Sequence, residues 1–280
     1  MQSSIGNQKG ITLVELLISL VIIGLITTAA YSFYLNQHKQ WIVQEQISDM
    51  QQNARVSMDE LVKKLRMAGY VDLPQGIGGA IVAYDANPDT ISIRFNSRDC
   101  AAPIGKQMPQ PSMPLHFNEI QGCFEESTWV FVCVPETDPL YPYGEWFFIT
   151  SISVNQGEGW EELLHGLGPL SISYPVGSFV LQLEEYKYYI DQTTDPPHPK
   201  LMRQMNGQTP EVFAEDIEDL QFVYTLADGS TTSSPANPDD IRVVAVRITA
   251  RTERQDPDYP GDHYRRRVFS SRVQVRNLSL

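Results

Sequence analysis

The sequence predicts an α+β fold in which one long N-terminal helix, apolar through its first half, packs on a head of antiparallel β-strands. Three observations predict it. A run of about 20 residues starting at Ile11 carries a single charge, Glu15. No proline follows until Pro74, and between Ile47 and Ala68 apolar residues recur at three- and four-residue steps. Beyond Ile77 the texture changes to short β-type runs separated by Gly, Pro, Asn and Asp.

The bulk numbers narrow the function classes. Of 280 residues, 42% are hydrophobic and 20% charged, which is too apolar for a disordered chain. The 21 Lys and Arg against 34 Asp and Glu leave a net charge of −13. That balance argues against nucleic acid as a partner, because phosphate binding draws on a surplus of basic residues. Three cysteines without a C-x-x-C spacing exclude a zinc ribbon and a thioredoxin-like motif.

The first ten residues, MQSSIGNQKG, are polar and carry only Lys9. Residues 11–30 then suffice for about 30 Å of helix, the depth of a bilayer's hydrocarbon core. A secretory signal peptide has a shorter apolar region followed by an A-x-A-like site, and neither applies here. The positive charge ahead of the span predicts a cytoplasmic N-terminus and an exported remainder. That orientation puts the short leader on the wrong side for ordinary signal peptidase. Glu15 stands out, since an acidic group in a membrane helix costs about 2.5–3.5 kcal/mol on insertion scales. It either reaches the headgroups from the helix end or meets a counter-ion.

After Tyr34 the pattern turns amphipathic. Ile47, Met50, Ala54, Met58, Leu61, Leu65 and Ala68 form the apolar stripe, with Asp49, Arg55, Asp59, Glu60, Lys63 and Arg66 between them. This predicts one helix over 11–67, on the order of 85 Å long, ended by Gly69 and Pro74. The stripe spans about three heptads, short for a coiled coil. Tyr31, Phe33, Tyr34 and Trp41 suit the outer membrane–water interface. The domain plan is therefore a leader at 1–10, a membrane-spanning half-helix at 11–30, an amphipathic half at 31–69 and a β-rich head at 70–280.

Within the head, strands are predicted at 80–84, 90–95, 129–134, 146–154, 179–190, 217–226, 242–252 and 268–275. Several alternate, as in Thr90-Ile-Ser-Ile-Arg-Phe95, which predicts half-buried antiparallel strands. Loops rich in Pro and Ser are expected at 102–114, 193–199 and 230–239. No period of 20–50 residues repeats.

Candidate chemistry is sparse. There is no G-x-S-x-G, H-E-x-x-H or P-loop pattern, and the five histidines (His38, His116, His165, His198 and His263) are scattered. No enzyme and no cofactor are expected. Gln75-Gly-Ile-Gly-Gly79 follows a helix rather than a strand, so it reads as a connection and not a dinucleotide turn. Asp85-Ala-Asn-Pro-Asp89 has spaced oxygens but lacks the glycine and distal glutamate of a calcium loop, so an Asx-rich turn is expected. Asp256-Pro-Asp-Tyr-Pro-Gly-Asp262 reads in the same way, and no metal site is expected. Tyr141, Tyr143 and Trp160 are read as core or turn residues before a binding surface.

The unit Lys9-Gly-Ile-Thr-Leu-Val-Glu15, followed by the long apolar run, resembles the class III signal of type IV pilins and pseudopilins. The resemblance implies cleavage between Gly10 and Ile11 by the prepilin peptidase, with N-methylation of Ile11. Glu15 then becomes the fifth residue of the mature chain and the register-setting counter-ion of a neighbouring Ile11 amine. Ala54-Arg-Val-Ser-Met-Asp-Glu-Leu-Val-Lys-Lys-Leu-Arg-Met-Ala-Gly-Tyr70 resembles the helix end of PilW-type minor pilins. Ile217-Glu-Asp-Leu-Gln-Phe-Val-Tyr224 and Arg267-Val-Phe-Ser-Ser-Arg-Val-Gln-Val-Arg-Asn277 resemble that family's late strands, and nothing is recognised between Asp99 and Pro142. The family is also similar to pseudopilin J of type II secretion.

What the resemblance implies is a pilin-like minor subunit that primes or joins the type IV pilus, at or near the tip. It waits in the inner membrane with its head in the periplasm and later reaches the cell surface. Its expected partners are other major and minor pilins, the inner-membrane assembly platform and, before assembly, the membrane itself. A type II pseudopilin and a tip adhesin are the alternatives. In an oxidising compartment one disulfide is expected among Cys100, Cys123 and Cys133. A Cys100–Cys123 bridge would close about 24 residues and contribute about 3 kcal/mol, while Cys133 falls in an apolar strand.

Overall fold

The structure is a computed structural model that describes residues 12–70, 79–96, 100–120, 122–134, 144–155, 159–166 and 168–278. The chain forms two compact units, Met1–Asp49 and Met50–Leu280. Helix α1 runs over Leu13–Met67 and contributes to both. In the first unit its described residues up to Tyr34 are all exposed, the pattern of a helix that is apolar all round.

In the second unit α1 buries Met50, Ala54, Met58, Leu61 and Leu65, the stripe that the three- and four-residue spacing predicts. Gly69 ends the helix with φ +71°, a left-handed conformation that disfavours side chains bearing a Cβ. Its N–H donates to the Arg94 carbonyl at 3.0 Å. Asn277 Nδ2 donates to the Ala68 carbonyl at 3.0 Å, so the short 3-10 turn after the last strand caps the helix. The head as predicted starts at residue 70, yet this compact unit starts at Met50.

The strands follow in chain order. They are β1 (Ile81–Tyr84), β2 (Thr90–Phe95), β3 (Ala101–Lys106), β4 (Leu115–Phe117) and β5 (Trp129–Cys133). Next come β6 (Glu145–Asn155), β7 (Trp160–Gly166), β8 (Phe179–Leu181), β9 (Glu184–Asp191) and β10 (Lys200–Met205). The series ends with β11 (Glu211–Glu215), β12 (Ile217–Leu226), β13 (Thr231–Thr232), β14 (Ile241–Arg251) and β15 (Arg266–Gln274). They build a five-stranded sheet β1-β2-β9-β10-β11, a four-stranded sheet β13-β12-β14-β15 and a closed barrel β3-β4-β7-β6-β5-β8. Every pairing is antiparallel.

The barrel is the main departure from the sequence reading. It is formed entirely between β2 and β9, which pair with each other directly, Phe95 opposite Glu184. Its walls alternate as a half-covered sheet should. Val130, Val132 and Val134 join the barrel core with Phe117, Ile149 and Leu163. Phe131 and Cys133, one residue out of phase, join Leu181 and Leu183 in a separate cluster with Trp146.

Three predicted segments need correction: the loop expected at 230–239 holds the two-residue strand β13, and two others differ more. The single strand expected at 179–190 is two strands in different layers, because β8 closes the barrel and β9 pairs with β2. The loop expected at 102–114 begins as strand β3 despite Pro103. The Ile104 N–H donates to the Ser178 carbonyl at 2.7 Å, so alternation turns the Pro103 nitrogen away from β8. On its other side the β3–β4 ladder starts only at Ile104, so no ladder bond is missing.

Candidate functional site

The segment with the most chemistry is the start of α1. Gly10 and Ile11 lie outside the described residues. Thr12 is the helix N-cap: its Oγ1 accepts the Glu15 N–H at 3.3 Å and its carbonyl accepts the Leu16 N–H at 3.2 Å. Thr12 and Glu15 thus stand in the Thr-x-x-Glu spacing of a capping box. A carboxylate in the first turn also faces the positive end of the helix dipole. The spacing was visible in the sequence and supplies a local reason for Glu15 beside the counter-ion reading. The Glu15 residue is exposed, and its carboxylate has no ion-pair partner among the described residues.

The remaining polar groups of the apolar run are satisfied within the helix. Ser19, Thr27, Thr28 and Ser32 each donate a hydroxyl proton to the carbonyl four residues back, at 2.8–2.9 Å. None presents an unsatisfied donor to hydrocarbon, so the span stays apolar in effect as well as in composition. By length and composition this helix is long enough to cross a membrane. Farther along, Tyr34, His38 and Trp41 stack in series with ring centroids 6.0 and 6.2 Å apart. With exposed Tyr31 and Phe33 they make an aromatic collar just past the apolar run.

A second polar constellation fixes the docked part of α1 to the five-stranded sheet. Glu60 Oε1 accepts the Tyr188 hydroxyl at 2.9 Å and Arg203 Nη1 at 3.2 Å. Arg203 in turn reaches Glu211 at 2.7 Å. Burial, with the Glu60 carboxylate beside it, pushes the Tyr188 hydroxyl far above the ordinary tyrosine range. Lys64 lies 3.4 Å from the Tyr186 ring centroid, and burial lowers its ammonium below the usual lysine value. Burial likewise raises Tyr186, to about 12. Sequence periodicity finds the apolar stripe but not this network, whose partners lie more than 100 residues away.

The aspartate-rich turns hold protein groups. Asp89 Oδ1 accepts the Ala86 N–H at 3.1 Å and Oδ2 accepts the Phe222 N–H at 2.8 Å. Both carboxylate oxygens are thus taken by backbone N–H groups, one earlier in the same turn and one on β12, and burial raises the Asp89 carboxyl above its usual value. Asp256 binds the Arg265 guanidinium at 2.7 Å, and Asp262 binds Arg266 at 2.5 Å.

The histidines are dispersed. His116 pairs with Glu162 at 3.3 Å and His198 with Asp216 at 3.4 Å. His165 and His263 bond loop carbonyls of Met113, Gly168 and Tyr259.

The cysteines occupy three environments. Cys100 and Cys133 are buried, Cys123 is half-buried, and the structure draws no S–S bond among them. Cys123 packs on the barrel core, whereas Cys133 sits in the cluster with Leu181. Burial pushes the Cys133 thiol up to about 11. Of the aromatics singled out in the sequence, Trp160 is half-buried at the start of β7, and Tyr141 and Tyr143 lie outside the described residues.

Comparison with known proteins bears on the two ends of the chain differently. A type IV-like pilin from Thermus thermophilus aligns over 81% of this chain and 97% of its own length, at 12% identity and a TM-score of 0.39. No curated protein matches the chain. Residues 5–31, which include the apolar half of α1, match the family model of the prokaryotic N-terminal methylation motif.

Proposed function

We propose that the chain is a prepilin whose mature form is a structural minor pilin of the PilW type, assembling into or priming a type IV pilus near its tip. One observation carries this reading: the methylation motif at 5–31 coincides with a capped, predominantly apolar half-helix whose only charge is Glu15. The prepilin peptidase cuts between Gly10 and Ile11 on the cytoplasmic face, and Ile11 is methylated. The helix then leaves the inner membrane sideways and packs against those of other pilins on the assembly platform, while the exported head remains in the periplasm or at the cell surface. Glu15 sets register by meeting a neighbour's Ile11 amine, since two charges that are costly alone in hydrocarbon compensate each other. The head performs no catalysis.

Mass spectrometry of the protein recovered from membranes tests the first step. The expected mature chain starts at N-methylated Ile11; a full-length chain retaining Met1 overturns the reading. Glu15→Leu tests the second: it is expected to leave membrane levels unchanged and to remove the chain from sheared fibres. A chain that enters fibres equally well without Glu15 refutes the register role.

A further inference from the structure

Charge in this protein is unevenly placed. Nine of its 21 basic residues, all arginine, lie between Ile241 and Leu280, with only four of its 34 acidic residues. Four of those nine arginines pair with a nearby carboxylate. Arg251 and Arg266 reach Glu218 at 3.8 and 2.5 Å, Arg254 reaches Glu253 at 3.7 Å, and Arg265 reaches Asp256 at 2.7 Å.

Arg247 and Arg272 differ. Both are exposed, and no acidic side chain pairs with either among the described residues. Register puts them on one face of the sheet, Arg247 opposite Ser270 and Arg272 opposite Ala245. They are therefore diagonal neighbours, about 7 Å apart at the backbone, and Asp219, opposite Thr249, stands at the same diagonal spacing from Arg247 on β12. Exposed Val223 and Val268 share that face. The opposite face, with Phe222, Val246 and Ile248, is core.

β15 is also the last strand of its sheet, nine residues long and largely exposed. An open edge of that length is a template for strand addition. Its arginines choose among candidates. Two copies of this edge repel each other, whereas an acidic strand gains charge-assisted hydrogen bonds.

We infer that the open edge of β15, on the face that carries Arg272 and Arg247, receives an acidic extended segment of a neighbouring filament subunit. This rests on the reading of the chain as a filament subunit. An acidic protein segment is favoured over a polyanion such as nucleic acid because the rest of the chain is strongly acidic and repels a long anionic polymer. An open strand edge, moreover, supplies backbone groups that only a polypeptide matches.

The test uses the full chain expressed in its own cells, with sheared fibres and membranes quantified separately. Arg247→Glu/Arg272→Glu is expected to lower the fibre fraction roughly tenfold, while Arg247→Lys/Arg272→Lys holds within about twofold. A photo-crosslinker placed at Ser270, beside both arginines, is expected to join a second subunit through a peptide rich in Asp or Glu. The crosslink needs no charge reversal, so it reads the contact even if the reversed variant folds poorly.

The inference alone is overturned if the unsubstituted and charge-reversed chains enter fibres equally, or if Ser270 in fibres crosslinks to no subunit. It is also overturned if the detergent-solubilised chain binds heparin or duplex DNA through these two arginines while subunit adducts are absent. Absence of the unsubstituted chain from fibres overturns the filament reading and the inference with it.

Discussion

Removing the Glu60 carboxylate is expected to loosen α1 from its sheet by an amount that the geometry sets. The Tyr188 residue is fully buried, and its hydroxyl donates to Glu60 at 2.9 Å. Glu60→Ala strands that hydroxyl, a cost of about 1–3 kcal/mol. The lost ion pair to Arg203, whose side chain is 29% exposed, adds under about 1 kcal/mol after solvent screening. Alanine is at least as good a helix former as glutamate, so propensity offsets little of this. The expected total is about 1–4 kcal/mol. Tyr188→Phe deletes the donor and leaves Glu60 with Arg203, for about 1 kcal/mol. The double variant should cost less than the sum of the two by about 1 kcal/mol or more, since both changes remove one bond. Guanidinium unfolding of the detergent-solubilised chain, followed by near-ultraviolet circular dichroism, measures all three. Glu60→Ala costing under about 0.5 kcal/mol, or a cycle that closes additively, would refute the claim that this bond anchors the helix.

Further outcomes follow from other contacts. Gly69→Ala should destabilise by about 1 kcal/mol or more, because φ is +71° and the new Cβ meets Leu278 Cδ2 at 3.1 Å; an unchanged melting temperature contradicts this. The Arg265 guanidinium holds the Asp256 carboxyl below the ordinary aspartate value. A depressed folded-state pKa stabilises above the unfolded value, near 3.9, and that gain is lost as pH falls through the folded one. The chain should therefore melt above Asp256→Asn at pH 6, with the gap shrinking below about pH 4; a gap constant with pH rejects the pairing. If the head is exported as proposed, peptide mapping under non-reducing conditions is expected to find a Cys100–Cys123 bridge. Alkylation of all three thiols without reduction removes that expectation.

The helix was legible in the sequence because its signals are local. The apolar run, the three- and four-residue stripe and Gly69 each act within a turn or two. Glu15 was conspicuous as a charge, yet its partnership with Thr12 is equally local and was readable as a Thr-x-x-Glu spacing. β2 and β12 match their predicted bounds because alternation and flanking turn residues coincide there. The barrel was opaque for a different reason. β4 and β8 have three residues each, too few to establish a period, and β3 contains Pro103. Closure comes from long-range pairing, such as Ala102 opposite Val180, that no short window contains. The arginine pair on β14 and β15 was hidden in a net charge of −13, since a sum conceals where its terms lie.

The route by which the chain departs and returns at the Phe95–Glu184 rung gives the head a modular grammar. Two strands that touch at that rung need only a tight turn to join them, so the whole intervening cassette is dispensable to the sheet that hosts it. Replacing roughly 90 residues by a four-residue turn lowers the loop-closure cost by about 3 kcal/mol. A chain drawn on this plan can exchange that module for another while the docked part of α1 and the sheet beneath it stay as they are.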